Sequence, residues 1–278
     1  MRNIDKINYE KHIYPNFKKI LDKIFSSKAI REYIYGTLFI KPQNYQISLL
    51  DIKNALYSKR VLVLENKIIS GFFVQDIGNF EIINSIQKFF KDKNIIDICA
   101  APGGKSILLQ SLGFNVLAID KSTNQIRKFE ENLSRLNIKM NIQKIDFLKK
   151  KFTDKFNSIL LDAPCSALGT FRRNPDVSVK VEQSLIRKHQ KIQIEMIEKS
   201  IKILNKKGFL VYIVCSFHPF ETIDVIDKIM QNNKNIKLHA IDSDKMIKRK
   251  NGYFINPLSF KDYGGSDIFF VSVLEKLK

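Results

Sequence analysis

The sequence predicts an α/β protein with a doubly wound, mostly parallel sheet, and three observations support this. From residue 76 onward, short apolar segments alternate with segments of helical periodicity. The apolar segments are nearly continuous, as in parallel strands that helices cover on both faces. Of the 278 residues, 44% are hydrophobic, which is enough for a sizeable core. Residues 1–75 lack this alternation, and we predict a small α+β module there, ahead of a main domain of residues 76–278.

The N-terminal module is predicted from helical and extended segments. Apolar residues at helical spacing predict a helix between His12 and Tyr35. Two apolar runs, Thr37–Ile40 and Val61–Leu64, predict strands, and a helix-like stretch near Ile47–Tyr57 separates them. This mixture differs from the regular alternation that follows, and we therefore divide the chain at residue 76.

The main domain begins with a predicted helix at about Phe80–Phe90. The segments predicted as strands are Asn94–Cys99, Asn115–Ile119, Asn141–Ile145, Ser158–Leu161, Gly208–Val214 and Ile268–Leu274. The helices predicted between them are Lys105–Leu112, a segment from Ser122 to about Leu136, a long segment ending near Leu204, and one that starts at Pro219. Ser122 and Gln125 form a capping box, and Pro219 suits a first helical turn.

The chain is strongly basic, with 47 Lys and Arg against 28 Asp and Glu and a net charge of +19. A basic domain of this kind is typical of nucleic-acid binders. The chain is also rich in Lys, Ile and Asn, as AT-rich coding sequences tend to be. Such compositional drift explains Lys in place of Arg, but it does not explain the excess over acidic residues. We therefore favour nucleic acid or another polyanion as a partner over drift alone.

Several protein classes are excluded by composition. No segment approaches the ~18 consecutive apolar residues of a transmembrane helix. The N-terminal residues contain neither an apolar run nor a small-residue cleavage site, which argues against a signal peptide. Three cysteines are too few for a disulfide framework. We expect a cytoplasmic monomer without membrane association and without a metal site.

A loop of small residues, Asp97–Ser106, joins the first strand of the main domain to a helix. Small residues let a ligand approach the backbone, and the helix N-terminus offers free N–H groups. Gly104-Lys105-Ser106 suggests a phosphate-binding P-loop, but that motif needs a Gly where Cys99 stands. The pattern G-x-G-x-x-G is also absent, and the loop by itself therefore does not specify its ligand.

Further polar residues end the predicted strands, and ligands of doubly wound sheets bind beyond these carboxyl ends. Asp120 ends the second strand, where a carboxylate suits a ribose diol, although it could simply cap the next helix. Asp146 follows the third predicted strand. It either accepts a hydrogen bond from an adenine amino group or simply ends the strand. All three cysteines, Cys99, Cys165 and Cys215, fall at such ends, and we expect one shared cleft.

Three segments, Asp97–Ser106, Asp162–Asp176 and Tyr212–Pro219, resemble in this order the RsmB/Sun-type RNA (cytosine-5) methyltransferases, which use S-adenosylmethionine. Gly71–Asp76 and Gly265–Phe270 support the resemblance, which covers about residues 70–275. It implies a class I, Rossmann-like methyltransferase domain, an RNA partner for the first 75 residues to position, and 5-methylcytosine as the product.

The resemblance also implies site residues. Cys215 is the expected nucleophile, Cys165 the residue that helps release, and Asp162 the partner of the cytosine ring. Lys105 is expected to meet the methionine carboxylate. The residues expected to hold the cofactor are Cys99, Ala100, Ala101, Pro102, Gly103, Gly104, Lys105, Asp120, Asp146 and Asp162. Arg172 and Arg173 are expected to contact RNA phosphates, although a solvated basic loop is the competing interpretation.

The chemistry of cytosine fits these residue types independently. Carbon 5 is a poor nucleophile until a thiolate adds to carbon 6, and the thiolate is the reactive form of cysteine. A carboxylate at the ring's nitrogen edge stabilises the shift in charge, and a base must then remove the proton from carbon 5. Two thiols and one carboxylate meet these needs. Because a Pro-Cys thiol is the nucleophile in related DNA enzymes, only the resemblance, and not spacing, favours Cys215 over Cys165.

The sequence departs from the family pattern at Val214, where Thr is usual, and at Ile268, where Gly is usual. The family's bacterial members carry an all-helical N-terminal RNA-binding domain, and we expect this chain to lack it. Arg172–Asp176 favours the bacterial ribosomal-RNA branch, so we expect ribosomal RNA as substrate. The alternatives are transfer RNA, or a non-catalytic RNA-binding or ribosome assembly factor. An amino-methyltransferase would need an Asp/Asn-Pro-Pro-aromatic segment, and Asp162–Cys165 is not one.

Overall fold

The computed structural model describes residues 20, 24–25, 48–51, 56–57, 72–172, 174, 176–263 and 265–278. The strands predicted at Thr37–Ile40 and Val61–Leu64 lie outside these residues. So does the predicted helix between His12 and Tyr35, except for Ile20, Ile24 and Phe25, of which the first two are helical. The division of the chain at residue 76 stays a prediction.

A small antiparallel sheet precedes the main domain. Its strands are β1 (Ser48–Asp51), β2 (Leu56–Tyr57) and β3 (Phe72–Gln75), in the order β2-β1-β3. The helix-like stretch predicted near Ile47–Tyr57 is therefore wrong, because its described residues are strands. Short apolar runs fit helix and strand equally well by periodicity, and pairing with β3 decides in favour of strands here.

The main sheet contains nine strands among the described residues. They are β4 (Asn94–Ile98), β5 (Asn115–Asp120), β6 (Asn141–Lys144), β7 (Phe156–Asp162), β8 (Leu204–Val214), β9 (Ile236–His239), β10 (Met246–Arg249), β11 (Gly252–Ile255) and β12 (Phe270–Lys276). The order is β6-β5-β4-β7-β8-β12-β11-β10, with β9 also paired to β12. Strands β4 to β8 are parallel to their neighbours among themselves, whereas β9 to β12 pair in antiparallel fashion.

Helices cover both faces of this sheet. They are α1 (Ile77–Ile86), α2 (Gly104–Ser111), α3 (Thr123–Leu136), α4 (Val177–Lys180), α5 (Gln183–Ile203) and α6 (Ile223–Asn232). Helices α1, α2 and α3 pack with Ile95, Leu160 and Val211 in one core cluster. Helices α5 and α6 pack with the alternate strand residues, including Ile96 and Leu161, in the other. The predicted doubly wound α/β fold is confirmed, and its switch point lies between β4 and β7, where the strand order reverses.

Several element boundaries differ from prediction for local reasons. Helix α1 begins three residues early because Asp76 accepts a hydrogen bond from Gly78 N at 2.8 Å and caps it. The helix expected at Pro219 opens with a 3₁₀ turn, Pro219–Glu221, before α6. Of the capping box at Ser122, the bond from Gln125 N to the Ser122 hydroxyl is present at 3.3 Å. No helix in the described ranges has the length and apolar character that a bilayer-spanning segment needs.

Candidate active site

The loop between β4 and α2 is shaped by its backbone. Cys99 has a φ of 62° and Gly103 a φ of 102°, and both values lie in the left-handed region. A Cβ at Gly103 would lie 2.2 Å from the Phe129 ring, so that only glycine fits there. Gly103 precedes α2 without any side-chain cap. The first N–H groups of α2 are therefore available to an anionic group bound in this loop.

Asp120 ties this loop to the neighbouring strand and helix. Its Oδ2 accepts a hydrogen bond from Ala101 N at 3.2 Å, and its Oδ1 accepts one from Ser122 N at 2.8 Å. The helix cap itself is Ser122, and Asp120 bonds the backbone of that capping residue rather than capping α3. Each carboxylate oxygen can accept a second bond, so Asp120 retains acceptor capacity toward a ligand hydroxyl. Asp146, after β6, accepts from Leu148 N at 3.1 Å and is 37% exposed.

A buried ion pair joins the loop to β7. Lys105 Nζ lies 2.7 Å from Asp162 Oδ2, and the side chains are 7% and 32% exposed, respectively. Burial opposes the charge of Lys105, but Asp162 outweighs it, and the pKa of Lys105 is raised. Lys105 is therefore a cation at neutral pH, placed between the small-residue loop and the strand that leads to Cys165.

Behind the loop, Asp97 of β4 accepts a hydrogen bond from the Ser106 hydroxyl at 2.5 Å. The carboxyl is fully buried, and this burial raises its pKa to about 7. Burial likewise raises the pKa of the Cys99 thiol, with the carboxylate of Asp120 adding to the effect. Cys99 is thus an unreactive thiol, because cysteine acts through its thiolate.

Cys165 and Cys215 come together at the carboxyl ends of β7 and β8. These strands are parallel neighbours, and their register pairs Asp162 with Ile213 just before the two turns. The Sγ atoms lie 3.3 Å apart. The contact with Cys215, followed by burial, raises the pKa of Cys165 well above its ordinary value. The sequence placed both thiols at one sheet edge, and the structure brings them into direct contact.

A buried carboxylate that the sequence analysis missed lies behind both cysteines. Glu221 is fully buried, and its Oε1 accepts a bond from Ser166 N at 2.7 Å. Its Oε2 accepts from the hydroxyls of Ser166 at 2.5 Å and Ser216 at 2.6 Å. His189 Nδ1 lies 3.4 Å from Oε1. Burial alone would raise the pKa of Glu221, but the nearby His189 and the hydrogen bonds from the two serines lower it overall. A Ser directly after each Cys was the available sequence signal.

Arg172 is placed differently from the exposed loop position that the sequence suggested. Its side chain is only 16% exposed, and its guanidinium lies 2.9 Å from Asp76 Oδ2 and 3.7 Å from Asp267 Oδ1. These carboxylates come from segments distant along the chain, which sequence patterns do not reveal. Arg173 lies outside the described residues. The part of the chain that the structure describes holds no cluster of three metal-ligating side chains.

Comparisons with known proteins agree with this geometry. The chain is 31% identical over 208 residues to ribosomal RNA small subunit methyltransferase B of Photorhabdus laumondii, covering 73% of this chain and 46% of the relative. It spans less than half the length of the curated relatives it matches. NSun6 from Pyrococcus horikoshii, solved with SFG, matches with a TM-score of 0.64 and 29% identity, over 75% of this chain and 54% of that one.

The structure of PH0851 superposes with a TM-score of 0.76 over 93% of this chain and 65% of that one, at 19% identity, which supports the fold. The family model described as 16S rRNA methyltransferase RsmB/F matches residues 86–275. That range includes the small-residue loop, both cysteine-bearing turns and Glu221, and it confirms the resemblance seen in the sequence. Because the match covers more than half of its residues, the chain belongs to the RsmB/F family of 16S rRNA methyltransferases.

Proposed function

We propose that the chain transfers a methyl group from S-adenosylmethionine to carbon 5 of a cytosine in ribosomal RNA, through a covalent cysteine–RNA intermediate. The observation that carries this proposal is the pair of thiols, Cys165 and Cys215, with their Sγ atoms 3.3 Å apart. Asp162 lies three residues before Cys165 at the end of β7. Methylation of a nucleophilic nitrogen or oxygen does not require a thiol, whereas methylation of carbon 5 of cytosine needs one to activate the ring.

The residues around the small-residue loop fit S-adenosylmethionine, which supplies an electrophilic methyl group on a sulfonium. The uncapped N-terminus of α2 and the Lys105 ammonium suit the methionine carboxylate. Asp120 suits the ribose hydroxyls, and Asp146 suits the adenine amino group. The backbone from Cys99 to Gly104 lines this space. NSun6, which shares 29% identity with this chain, was solved with SFG, and this supports a ligand site in the same fold.

Cys215 is the proposed nucleophile, and it adds to carbon 6 of the cytosine. Two thiolates 3.3 Å apart repel each other, so only one of the pair is charged at a time. The contact with Cys215 raises the pKa of Cys165. The choice of Cys215 as the nucleophile rests on the family resemblance. After methyl transfer, Cys165 assists removal of the carbon 5 proton, and the bond between Cys215 and carbon 6 then breaks. This division also explains why two thiols are needed.

Asp162 is the proposed partner of the cytosine ring. Its Oδ2 is paired with Lys105 at 2.7 Å, and its side chain is 32% exposed. A carboxylate here accepts a hydrogen bond from the exocyclic amino group, or holds a proton for the ring nitrogen, as the thiolate adds. Because Lys105 neutralises Asp162 when no ligand is bound, a methionine carboxylate that pairs with Lys105 would free Asp162 for the base.

RNA is proposed to cross the carboxyl edge of the sheet. Lys149, Lys150 and Lys151, in the connection between β6 and β7, are exposed and add to the basic surface. Arg173 is also proposed as a phosphate contact. Arg172 is paired with Asp76, and its larger role is therefore to hold the loop after Cys165 in place. Phosphate contacts release counterions, so RNA affinity should fall steeply as the salt concentration rises.

The decisive experiment offers labelled S-adenosylmethionine with small-subunit ribosomal RNA, and with transfer RNA in a parallel reaction, and maps the product by bisulfite sequencing. A bisulfite-resistant cytosine in ribosomal RNA alone is the expected result. Label in transfer RNA alone would overturn the proposal that ribosomal RNA is the substrate. Label on RNA without bisulfite resistance would overturn the carbon 5 chemistry. Cofactor binding with no transfer to either RNA would favour a non-catalytic assembly factor instead.

A further inference from the structure

We propose that Glu221 is a positioning residue. It holds together the two cysteine-bearing turns, residues 163–166 and 215–218, so that Cys165 and Cys215 stay in contact. The inference rests on the proposed function for its catalytic meaning. Its structural content, a carboxylate that fixes the separation of the two thiols, can be tested without RNA or cofactor.

Glu221 is bonded to the residue that follows each cysteine. The hydroxyls of Ser166 and Ser216 both donate to its Oε2, at 2.5 and 2.6 Å, and their oxygens lie 3.4 Å from each other. Direct backbone pairing of β7 with β8 continues only to the bond from Ala163 N to Ile213 O. Beyond this point Gly169 N donates to the Cys215 carbonyl at 2.9 Å, and Glu221 Oε2 joins the two residues that directly follow the cysteines, Ser166 and Ser216.

The backbone of Glu221 is itself held in place by two hydrogen bonds. The hydroxyl of Tyr212, on β8, donates to the Glu221 carbonyl at 2.7 Å, and Glu221 N donates to the carbonyl of His218 at 2.9 Å. Both Glu221 and Ser216 are fully buried, so water does not compete for these bonds. The position of Glu221 is therefore fixed independently of its bonds to the two turns.

Only an acceptor without N–H groups satisfies this arrangement. Three donors are hydrogen-bonded to the two oxygens of Glu221: the Ser166 amide and the two serine hydroxyls. His189 Nδ1 lies 3.4 Å from Oε1. Glutamine has the same shape, but its amide nitrogen would point a donor at some of these donors. Replacing the carboxylate by an amide should thus loosen at least one turn while leaving the packing volume unchanged.

Loosening matters because the two thiols act on the same ring. One assists removal of the proton from carbon 5 and the other leaves carbon 6, and misplacement of a reacting group by about 1 Å can cost ~100-fold in rate. Glu221 is not bonded to either thiol. It acts on them through its hydrogen bonds with Ser166 and Ser216. It is a positioning residue rather than a catalytic one.

The test uses Glu221→Gln in the full chain and measures the disulfide that diamide forms between the two cysteines. Diamide accepts two electrons and two protons from the thiols and becomes a hydrazine, so the rate reports how often the sulfurs meet. Peptide mass mapping distinguishes this disulfide from products of Cys99. We expect wild-type protein to cross-link readily and Glu221→Gln to cross-link about tenfold more slowly, as the effective concentration of one thiol near the other falls. An unchanged rate would overturn the proposal.

Glu81→Gln is the matched control. Glu81 is also a buried glutamate that accepts bonds from serines, but its partners Ser85, Ser243 and Lys245 belong to α1 and to the segment before β10. This variant should cross-link at the wild-type rate. Should Glu221→Gln fail to fold, Ser166→Ala and Ser216→Ala each remove one arm, and each should slow cross-linking by a smaller factor. Equal rates in wild type and both serine variants would again contradict the proposal.

A thiol-reactivity profile and a kinetic split distinguish positioning from general loss of structure. The Glu221 charge is one cause of the raised pKa of Cys165, so alkylation of Cys165 in Glu221→Gln should begin at lower pH while cross-linking slows. A partly unfolded protein would gain both reactions. In methyl transfer, kcat should fall about 10–100-fold with KM for RNA unchanged. If wild type transfers no methyl group, the proposed function fails, and the cross-linking result still decides the role of Glu221.

Discussion

Two neighbouring parts of the same sheet edge are held in place in different ways. The glycine loop, residues 99–105, takes its shape from backbone angles, with positive φ at Cys99 and Gly103. The cysteine turns, residues 163–166 and 215–218, are instead tied by hydrogen bonds to the buried carboxylate of Glu221. This difference implies that the glycine loop tolerates changes in charge better than added volume. The cysteine turns should show the opposite sensitivity.

The largest expected effect separates the two thiols of the cysteine turns. Cys215→Ala removes the proposed nucleophile, so methyl transfer should fall by about a thousandfold or more, without any covalent RNA adduct. Cys165→Ala should still transfer methyl groups but stay attached to its product, because release needs the second thiol. Denaturing electrophoresis of each variant with RNA measures the adduct.

The reverse pattern, an adduct with Cys215→Ala and none with Cys165→Ala, would exchange the two roles. That outcome is chemically reasonable, because the contact of 3.3 Å makes either sulfur able to activate the other. A failure of both variants to form an adduct would contradict the division of roles altogether. Glu81→Gln again serves as the control, since its partners lie outside the cysteine turns.

Added volume in the glycine loop should cause the next largest effect. Gly103→Ala forces a side chain into a φ of 102° and places its Cβ 2.2 Å from the ring of Phe129. Backbone strain and overpacking together should cost roughly 2–5 kcal/mol of unfolding free energy. Urea denaturation measures this cost. Gly113→Ala is a useful control, because its φ is also positive at 86° but its nearest contact is the flexible end of Lys93. A similar loss in both variants would attribute the effect to strain alone.

The order of elements in the parallel half could be read from the sequence because local patterns determine it. Strands β4, β5, β7 and β8 contain mostly apolar runs such as Phe209–Val214, and these predict buried parallel strands. Strands β9, β10 and β11 were missed. Each has only four residues. Lysines interrupt β9 and β10, and the apolar run in β11, Tyr253–Ile255, is only three residues long. Strands β9 and β11 pair with β12, and β10 pairs with β11, and such pairing is not a local property.

The candidate site shows the same division between local and long-range information. The sequence placed Cys165 and Cys215 at one edge because each follows an apolar run at a strand end. It did not reveal Glu221, which looked like part of a helix start after Pro219. Nor did it reveal that Arg172 pairs with Asp76, which lies 96 positions earlier in the chain. Contacts made by single polar side chains across the fold carry no periodic signal.

A side chain on the glycine-loop side should have a smaller but measurable effect on cofactor affinity. Asp120→Ala removes the proposed acceptor for the ribose hydroxyls together with its bonds to Ala101 N and Ser122 N. We expect S-adenosylmethionine to bind about 10–100-fold more weakly, in line with hydrogen bonds to a charged group of ~1.5–3 kcal/mol. Calorimetry measures the affinity. Ser122→Ala removes only the helix cap, so a matching loss there would reassign Asp120 to capping.

The smallest effect concerns a buried neutral imidazole in the cysteine turns. His218 is 4% exposed, and its Nδ1 accepts a hydrogen bond from Phe220 N at 3.1 Å. Burial lowers the pKa of His218 to about 4. Between pH 6.5 and 4, His218 therefore binds a proton in the unfolded chain but not in the folded chain. The free energy of unfolding falls as the pH falls through this range. His218→Asn keeps an acceptor for Phe220 N but has nothing to protonate.

The difference in unfolding free energy between wild type and His218→Asn should therefore shift by about 1–2 kcal/mol in favour of the variant between pH 7 and pH 5. Asp97, whose pKa is raised to about 7, adds a slope of opposite sign to each protein, because its folded form binds the extra proton. That slope cancels in the difference and leaves the histidine contribution alone. Parallel stability curves for the two proteins would mean that His218 is solvated well enough to titrate normally. The cysteine turns would then be held less tightly than their hydrogen bonds to Glu221 imply.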